Sequence, residues 1–139
     1  MKFNLDERLE SDSHFVFALP LSQVRLINDN QFVWCVLIPA VDNAKEIIDL
    51  DEGQQKQLWQ ESATLSRALK EGFTPDKLNV AAIGNIVSQL HVHHICRYKH
   101  DIAWPSPVWG KQAMISYTDE DRTVLIVKLQ ELLREQSEF

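Results

Sequence analysis

Apolar and polar residues change their spacing several times along this 139-residue chain, and each change predicts an element. Leu5 and Leu9 suggest a short opening helix that ends near Ser11-Asp12-Ser13. Residues 15–19 and 23–27 read as strands around Pro20, with Asn28-Asp29-Asn30 as the following turn. Residues 31–38 form a third strand, stopped by Pro39. It is apolar on both faces, which predicts a central place in an antiparallel meander. The period then lengthens. From about 52 to 71, Leu58, Ser62, Leu65 and Leu69 recur on one helical face. Asp51 and Gln54 have capping-box spacing, and Gly72 is the expected C′ residue ahead of Pro75. Residues 78–98 predict a second strand pair, interrupted near Gly84-Asn85, where glycine permits a tight turn or a close backbone approach. Residues 101–112 carry Trp104, Pro105, Pro107, Trp109 and Gly110 and predict no regular element. A last helix begins at Thr118. Asp119, Glu120 and Asp121 suit its positive end, and Leu125, Leu129, Leu132 and Leu133 form its apolar face.

Meander, helix, strand pair, loop and helix make an α+β pattern rather than repeated βαβ units. The length suits a single domain, 1–139, with a core at about 15–98 and a C-terminal extension at 99–139. Hydrophobic residues make up 45% and charged residues 24%, an ordinary globular balance. A net charge of -6 argues against a nucleic acid polymer as partner, because that partner needs clustered Lys and Arg. One nucleotide in a small pocket remains compatible with it. No apolar run is long enough to span a membrane, and no apolar leader follows Met1. The expected location is cytoplasmic, with Cys35 and Cys96 as buried free thiols.

The chemistry concentrates in Ser88-Gln89-Leu90-His91-Val92-His93-His94-Ile95. On a strand, Gln89, His91 and His93 share one face, and His94 falls on the other in a structural or surface role. Neutral imidazole attacks phosphorus well, and the phosphoimidazole it forms is reactive enough to be hydrolysed. His91 is the candidate nucleophile; a backbone carbonyl can hold its Nδ1–H so that Nε2 faces the substrate. His93 could donate to a phosphate oxygen and handle a proton. Gln89 could donate its amide to a phosphate or leaving-group oxygen, and Gly84 and Asn85 could present further donors to the same anion. A merely polar strand surface is the plain alternative. A metal site is the chemical rival, needing a third ligand such as His94, His100 or Asp101. A cupin would want a Glu soon after His93, where this chain has Ile95, Cys96, Arg97, Tyr98 and Lys99, and the two long helices fit a cupin badly. No metal and no cofactor are assigned.

These residues resemble the signature of the histidine triad (HIT) family, His-φ-His-φ-His-φ-φ with φ apolar, here Gln89-Leu90-His91-Val92-His93-His94-Ile95. Val36-Leu37-Ile38-Pro39, followed by a long helix, resembles the family's apolar strand, and the likeness covers roughly residues 15–98. It implies an antiparallel five-stranded sheet with one long helix packed on it and a C-terminal helix. It implies a nucleotide-binding hydrolase or transferase in which His91 attacks a nucleotide α-phosphate to form a nucleotidyl-histidine, while His93 contacts the phosphate. By the same resemblance Asn79, Gly84 and Asn85 are phosphate-side contacts, Asn28 and Asp29 lie near the ribose-binding turn, and Phe15 and Ile27 flank the base. A homodimer is also implied. The chain departs from the pattern at Gln89, which replaces the first histidine, and at His94, which replaces an apolar residue. Trp34 stands where some members carry a further histidine. With the first histidine absent, the alternative is a catalytically weak or inactive nucleotide-binding module. The segment 104–110 lies outside the signature and suits a lid, a dimer contact or packing for the C-terminal helix.

Overall fold

Asp6 starts the first element in the computed structural model, which describes residues 3–137. Its carboxylate accepts the Arg8 amide at 2.8 Å and caps helix α1 (Glu7–Ser11). Strands β1 (Ser13–Ala18), β2 (Ser22–Ile27) and β3 (Trp34–Pro39) follow as a meander. Strands β4 (Lys77–Ala81) and β5 (Val92–Arg97) complete a five-stranded antiparallel sheet in the order β1-β2-β3-β5-β4. The α+β architecture is the one the sequence implied. β3 and β5 are neighbours in the middle, and every residue of both is buried. A strand covered on both faces must be apolar or internally hydrogen-bonded on both. β3 meets that demand with apolar side chains, and β5 meets it with Val92, Ile95 and Cys96 and with bonds from His94 and Arg97, leaving one nitrogen of His93 unpartnered.

Helices α2 (Glu52–Phe73) and α3 (Asp119–Gln136) cover one face. There Val24, Leu26, Leu37, Val92 and Cys96 of the sheet meet Leu58, Leu65 and Leu69 of α2 and Leu129 and Leu133 of α3. Each buried leucine contributes about 1.5–3 kcal/mol relative to exposure. Asp51 caps α2 as expected: Gln54 N donates to Asp51 Oδ1 at 2.8 Å, and Asp51 N donates to Gln54 Oε1 at 3.0 Å. The far end differs from expectation. α2 runs through Gly72 to Phe73, and the left-handed cap is Thr74, at φ 42°. Gly72 is needed for contact between the helices instead, because a Cβ there would collide with Leu132 of α3.

The other face buries Ile27, Trp34, Val36, Ile38 and Ile95 beneath Leu9, Ala103 and Val108. Its cover is α1 and the irregular segment 98–117. Arg97 anchors that segment, donating to both Asp101 carboxylate oxygens at 2.9 and 3.1 Å and to the Ser106 carbonyl at 2.8 Å. The tryptophan-proline stretch therefore lies on the sheet face away from the two long helices and does not serve as packing for the C-terminal one.

Candidate active site

β5 begins one residue later than His91, because the Leu90 amide bonds the Ala44 carbonyl at 2.9 Å, outside the sheet ladder. The alternation nevertheless persists through the entry. Leu90 and Val92 point into the core under the helices, while the rings of His91 and His93 lie on the opposite face, 4.8 Å apart and nearly perpendicular. His91 Nδ1 lies 2.7 Å from the Gln89 carbonyl. A carbonyl only accepts, so Nδ1 carries the proton and Nε2 keeps its lone pair. His93 has the reverse tautomer. Trp34 lies diagonally across the β3–β5 pair, and its indole N–H donates to His93 Nδ1 at 3.0 Å. An indole nitrogen cannot accept, so the His93 proton sits on Nε2. That nitrogen is buried and has no hydrogen-bond partner; the Ile83 backbone favours the charged ring slightly without reaching bonding geometry. Burial, then the charge of His91, lowers the His93 pKa to about 4. The Trp109 ring stands edge-on to His93 at 5.0 Å and to Trp34 at 5.8 Å. Segment 98–117 therefore walls the site from within the same subunit.

His91 stands where two cavities meet. One, about 690 Å³, is lined mainly by Leu9, Ile27, Trp34, Ile83, Ile86, Val87, Trp109 and Met114, with His91 and His93 at one side. The other, about 370 Å³, is more polar and holds Lys45, Glu46, Gly84, Asn85, Ser88 and Gln89. Gly84 allows the 82–91 loop to fold tightly against His91: a Cβ there would sit 2.8 Å from the Val87 carbonyl oxygen. Asn85 lines both cavities. Among the described residues, no three His, Cys, Asp or Glu side chains converge to hold a metal ion.

Four sequence expectations meet a different arrangement. Gln89 shares the polar cavity but its amide is occupied at both ends. Oε1 accepts the Asp6 amide at 2.8 Å, and Nε2 donates to the Asn4 carbonyl at 2.9 Å. Asn79 shares the sheet face, yet its Oδ1 accepts from Arg97 at 2.8 Å and it lines neither cavity. Asn28 and Asp29 bind protein rather than open space. Asn28 bonds Ser116 and the Tyr117 amide, both at 3.1 Å, and buried Asp29 accepts from Gln31 and, at 3.5 Å, the Ile115 amide. Phe15 sits on edge strand β1 beside a bulge, 51% exposed and outside both cavities. Ile27, in contrast, lines the apolar cavity. His94 lies on the opposite face with no exposure, bonded to Ser62 Oγ at 2.7 Å and the Val92 carbonyl at 3.1 Å.

Leu9, Ile83, Ile86, Val87 and Met114 join the lining of the apolar cavity beyond the residues that the sequence motif marks. Ile83 and Ile86 carried a signal: apolar residues beside Gly84-Asn85, exposed at 39% and 80%, in a loop with no core to join. Trp34 was singled out for its position only, and its bond to His93 gives that position a role.

Comparison with known proteins agrees with this geometry. A family model described as the HIT domain matches residues 8–100. A histidine triad protein from Marinobacter aquaeolei VT8 is 47% identical over 99% of this chain and 100% of its own, with a TM-score of 0.94. One from Bradyrhizobium japonicum is 44% identical over 96% and 99%, with a TM-score of 0.93. A third, from Sinorhizobium meliloti, is 38% identical over 93% and 96%, with a TM-score of 0.91. No curated protein matches the chain.

Proposed function

Because the chain belongs to the HIT family, whose members are generally nucleotide hydrolases or transferases, we propose that it cleaves a nucleotide at its α-phosphate through a nucleotidyl-histidine on His91. One observation carries this reading: the Gln89 carbonyl holds His91 Nδ1–H and leaves the Nε2 lone pair free, while the His93 ring, with its Nε2–H unpartnered, lies 4.8 Å away between centroids. A nucleophile and an oxyanion donor thus stand side by side where an apolar and a polar cavity meet. The apolar cavity accommodates the nucleoside, between Ile27, Leu9 and Trp109. The polar cavity accepts the leaving group, with Asn85 and the Gly84 backbone near the phosphate. His91 Nε2 attacks phosphorus, the leaving group departs, and water or another acceptor releases the nucleotidyl group. His93 stabilises the charge developing on a phosphoryl oxygen.

Incubation with a dinucleoside polyphosphate should yield a nucleoside monophosphate and an acid-labile adduct that peptide mass spectrometry maps to His91. His91→Ala should abolish both while keeping the fold and measurable nucleotide binding. Binding without adduct or product would select the second reading, a non-catalytic nucleotide-binding module. Occupation of Gln89 by the N-terminal segment is the observation that favours that alternative. The cytoplasmic homodimer expected from the sequence belongs to the same proposal, and light scattering on purified protein reads its mass.

A further inference from the structure

We propose that this site discriminates by the acidity of the leaving group: it expels phosphate, sulfate or carboxylate oxyanions readily and amines poorly. The inference rests on nucleotidyl transfer by His91 and adds the class of bond that is broken. Its basis lies in the two side chains that flank His91 on its own face: neither His93 nor Gln89 is set to deliver a proton.

Trp34 closes the first route. Its indole N–H occupies His93 Nδ1 at 3.0 Å, so the only His93 proton is on Nε2. To act as an acid His93 must take a second proton on Nδ1, where a fixed donor already stands. Trp34 cannot swing aside easily, being 3% exposed and set edge-on to Phe32 and Trp109. The other groups facing His93 do not help. β5 supplies His94 and the 82–91 loop supplies His91, whose positive forms would oppose its protonation; that loop also supplies the Ile83 backbone, and segment 98–117 supplies Trp109. None of these is an anion. Gln89 closes the second route. It stands where the family signature has an imidazole, it does not titrate, and Asn4 and Asp6 hold both ends of its amide.

The chemistry follows from electron balance. His91 Nε2 forms the new N–P bond, and the bond from phosphorus to the leaving atom breaks with its electron pair on that atom. The His91 Nδ1 proton stays with the Gln89 carbonyl. A phosphate, sulfate or carboxylate oxygen carries the pair unaided. An amine nitrogen leaves only after taking a proton, which neither His93 nor Gln89 delivers here. General acid catalysis contributes about 10²–10⁴-fold where it operates, and that range sets the scale of discrimination.

The test compares kcat/KM of the full chain on a nucleoside 5′-phosphosulfate and a dinucleoside polyphosphate with that on a phosphoramidate of the same nucleoside. At pH 7 both oxyanion substrates should lead by about 10²-fold or more, with the gap narrowing as pH falls. Trp34→Phe frees Nδ1 and should narrow the gap at pH 7, adding an imidazole ionisation to the phosphoramidate pH profile alone. A purely structural effect would lower all three substrates together. Nitrogen-15 spectra of the histidines should show His93 as the Nε2–H tautomer at pH 7. Equal turnover of the two classes, or a proton on His93 Nδ1, overturns the proposal and leaves nucleotidyl transfer standing. Turnover of neither class, with no adduct on His91, overturns both.

Discussion

His93 and His94 are neighbours in the chain and lie on opposite faces of the sheet, yet burial acts on both in the same direction. Each pKa falls from an ordinary 6.5 to about 4. For His94 burial is the main cause, opposed by its bond to the Val92 carbonyl. A base with a lowered native pKa binds its proton in the unfolded chain first. Between pH 6.5 and about 4 the unfolded state therefore holds two protons that the native state lacks, and stability falls as the pH drops. Each ring contributes roughly 3 kcal/mol to that loss by pH 4. Urea midpoints measured from pH 7 to pH 4 should fall steadily. His94→Gln, which can still bond Ser62, should remove about half of the decline; an unchanged slope would contradict the assignment. The tautomer of His91 was legible in the sequence because its determinant, the Gln89 carbonyl, lies two residues away. That of His93 was not, since Trp34 is 59 positions distant, and Gln89 meets Asn4 across 85. Alternation tells which face a side chain takes, but not what waits there.

Helix α2 does more than cover the sheet. Glu61 is fully buried on it, and its carboxylate accepts the Leu21 amide at 2.7 Å, the Ser22 amide at 2.9 Å and Gln57 Nε2 at 2.8 Å. The first two are the backbone donors of the β1–β2 turn. The helix thus fixes the hairpin that carries Ile27 into the apolar cavity. Glu61→Ala leaves two buried amides without partners, at about 1–3 kcal/mol each. A thermal or urea scan should show a loss of about 2–6 kcal/mol, whereas Glu61→Gln should recover part of it by keeping one acceptor oxygen. The apolar stripe Leu58, Ser62, Leu65 and Leu69 announced the helix by its period. Glu61 was hidden because a charge one step from the stripe ordinarily points to water, and only the returning hairpin turns it inward. Gly72 was misassigned for a similar reason: its constraint comes from Leu132 of another helix, sixty residues away.

At the scale of the whole molecule, the sheet separates two functions. The face under α2 and α3 holds the chain together with leucines; the face under α1 and segment 98–117 presents His91 and His93. Strand and helix order was legible because each element has its own period, and α+β followed from their succession. The irregular segment has no period, so its place could come only from tertiary bonds: Arg97 to Asp101 and Ser106, and Asn28 and Asp29 to residues 115–117. Those same bonds set Trp109 against His93. The consequence is optical. Of the four tryptophans, two, Trp34 and Trp109, line the apolar cavity, while Trp59 on α2 is half exposed to water. Filling that cavity must change the surroundings of two indoles within reach of the histidine rings, so the protein's own emission should report occupancy without a label. Titration with a nucleoside monophosphate should quench or shift it in a saturable way. Trp109→Phe should diminish the signal more than Trp59→Phe, and a response carried by Trp59 would place the ligand elsewhere.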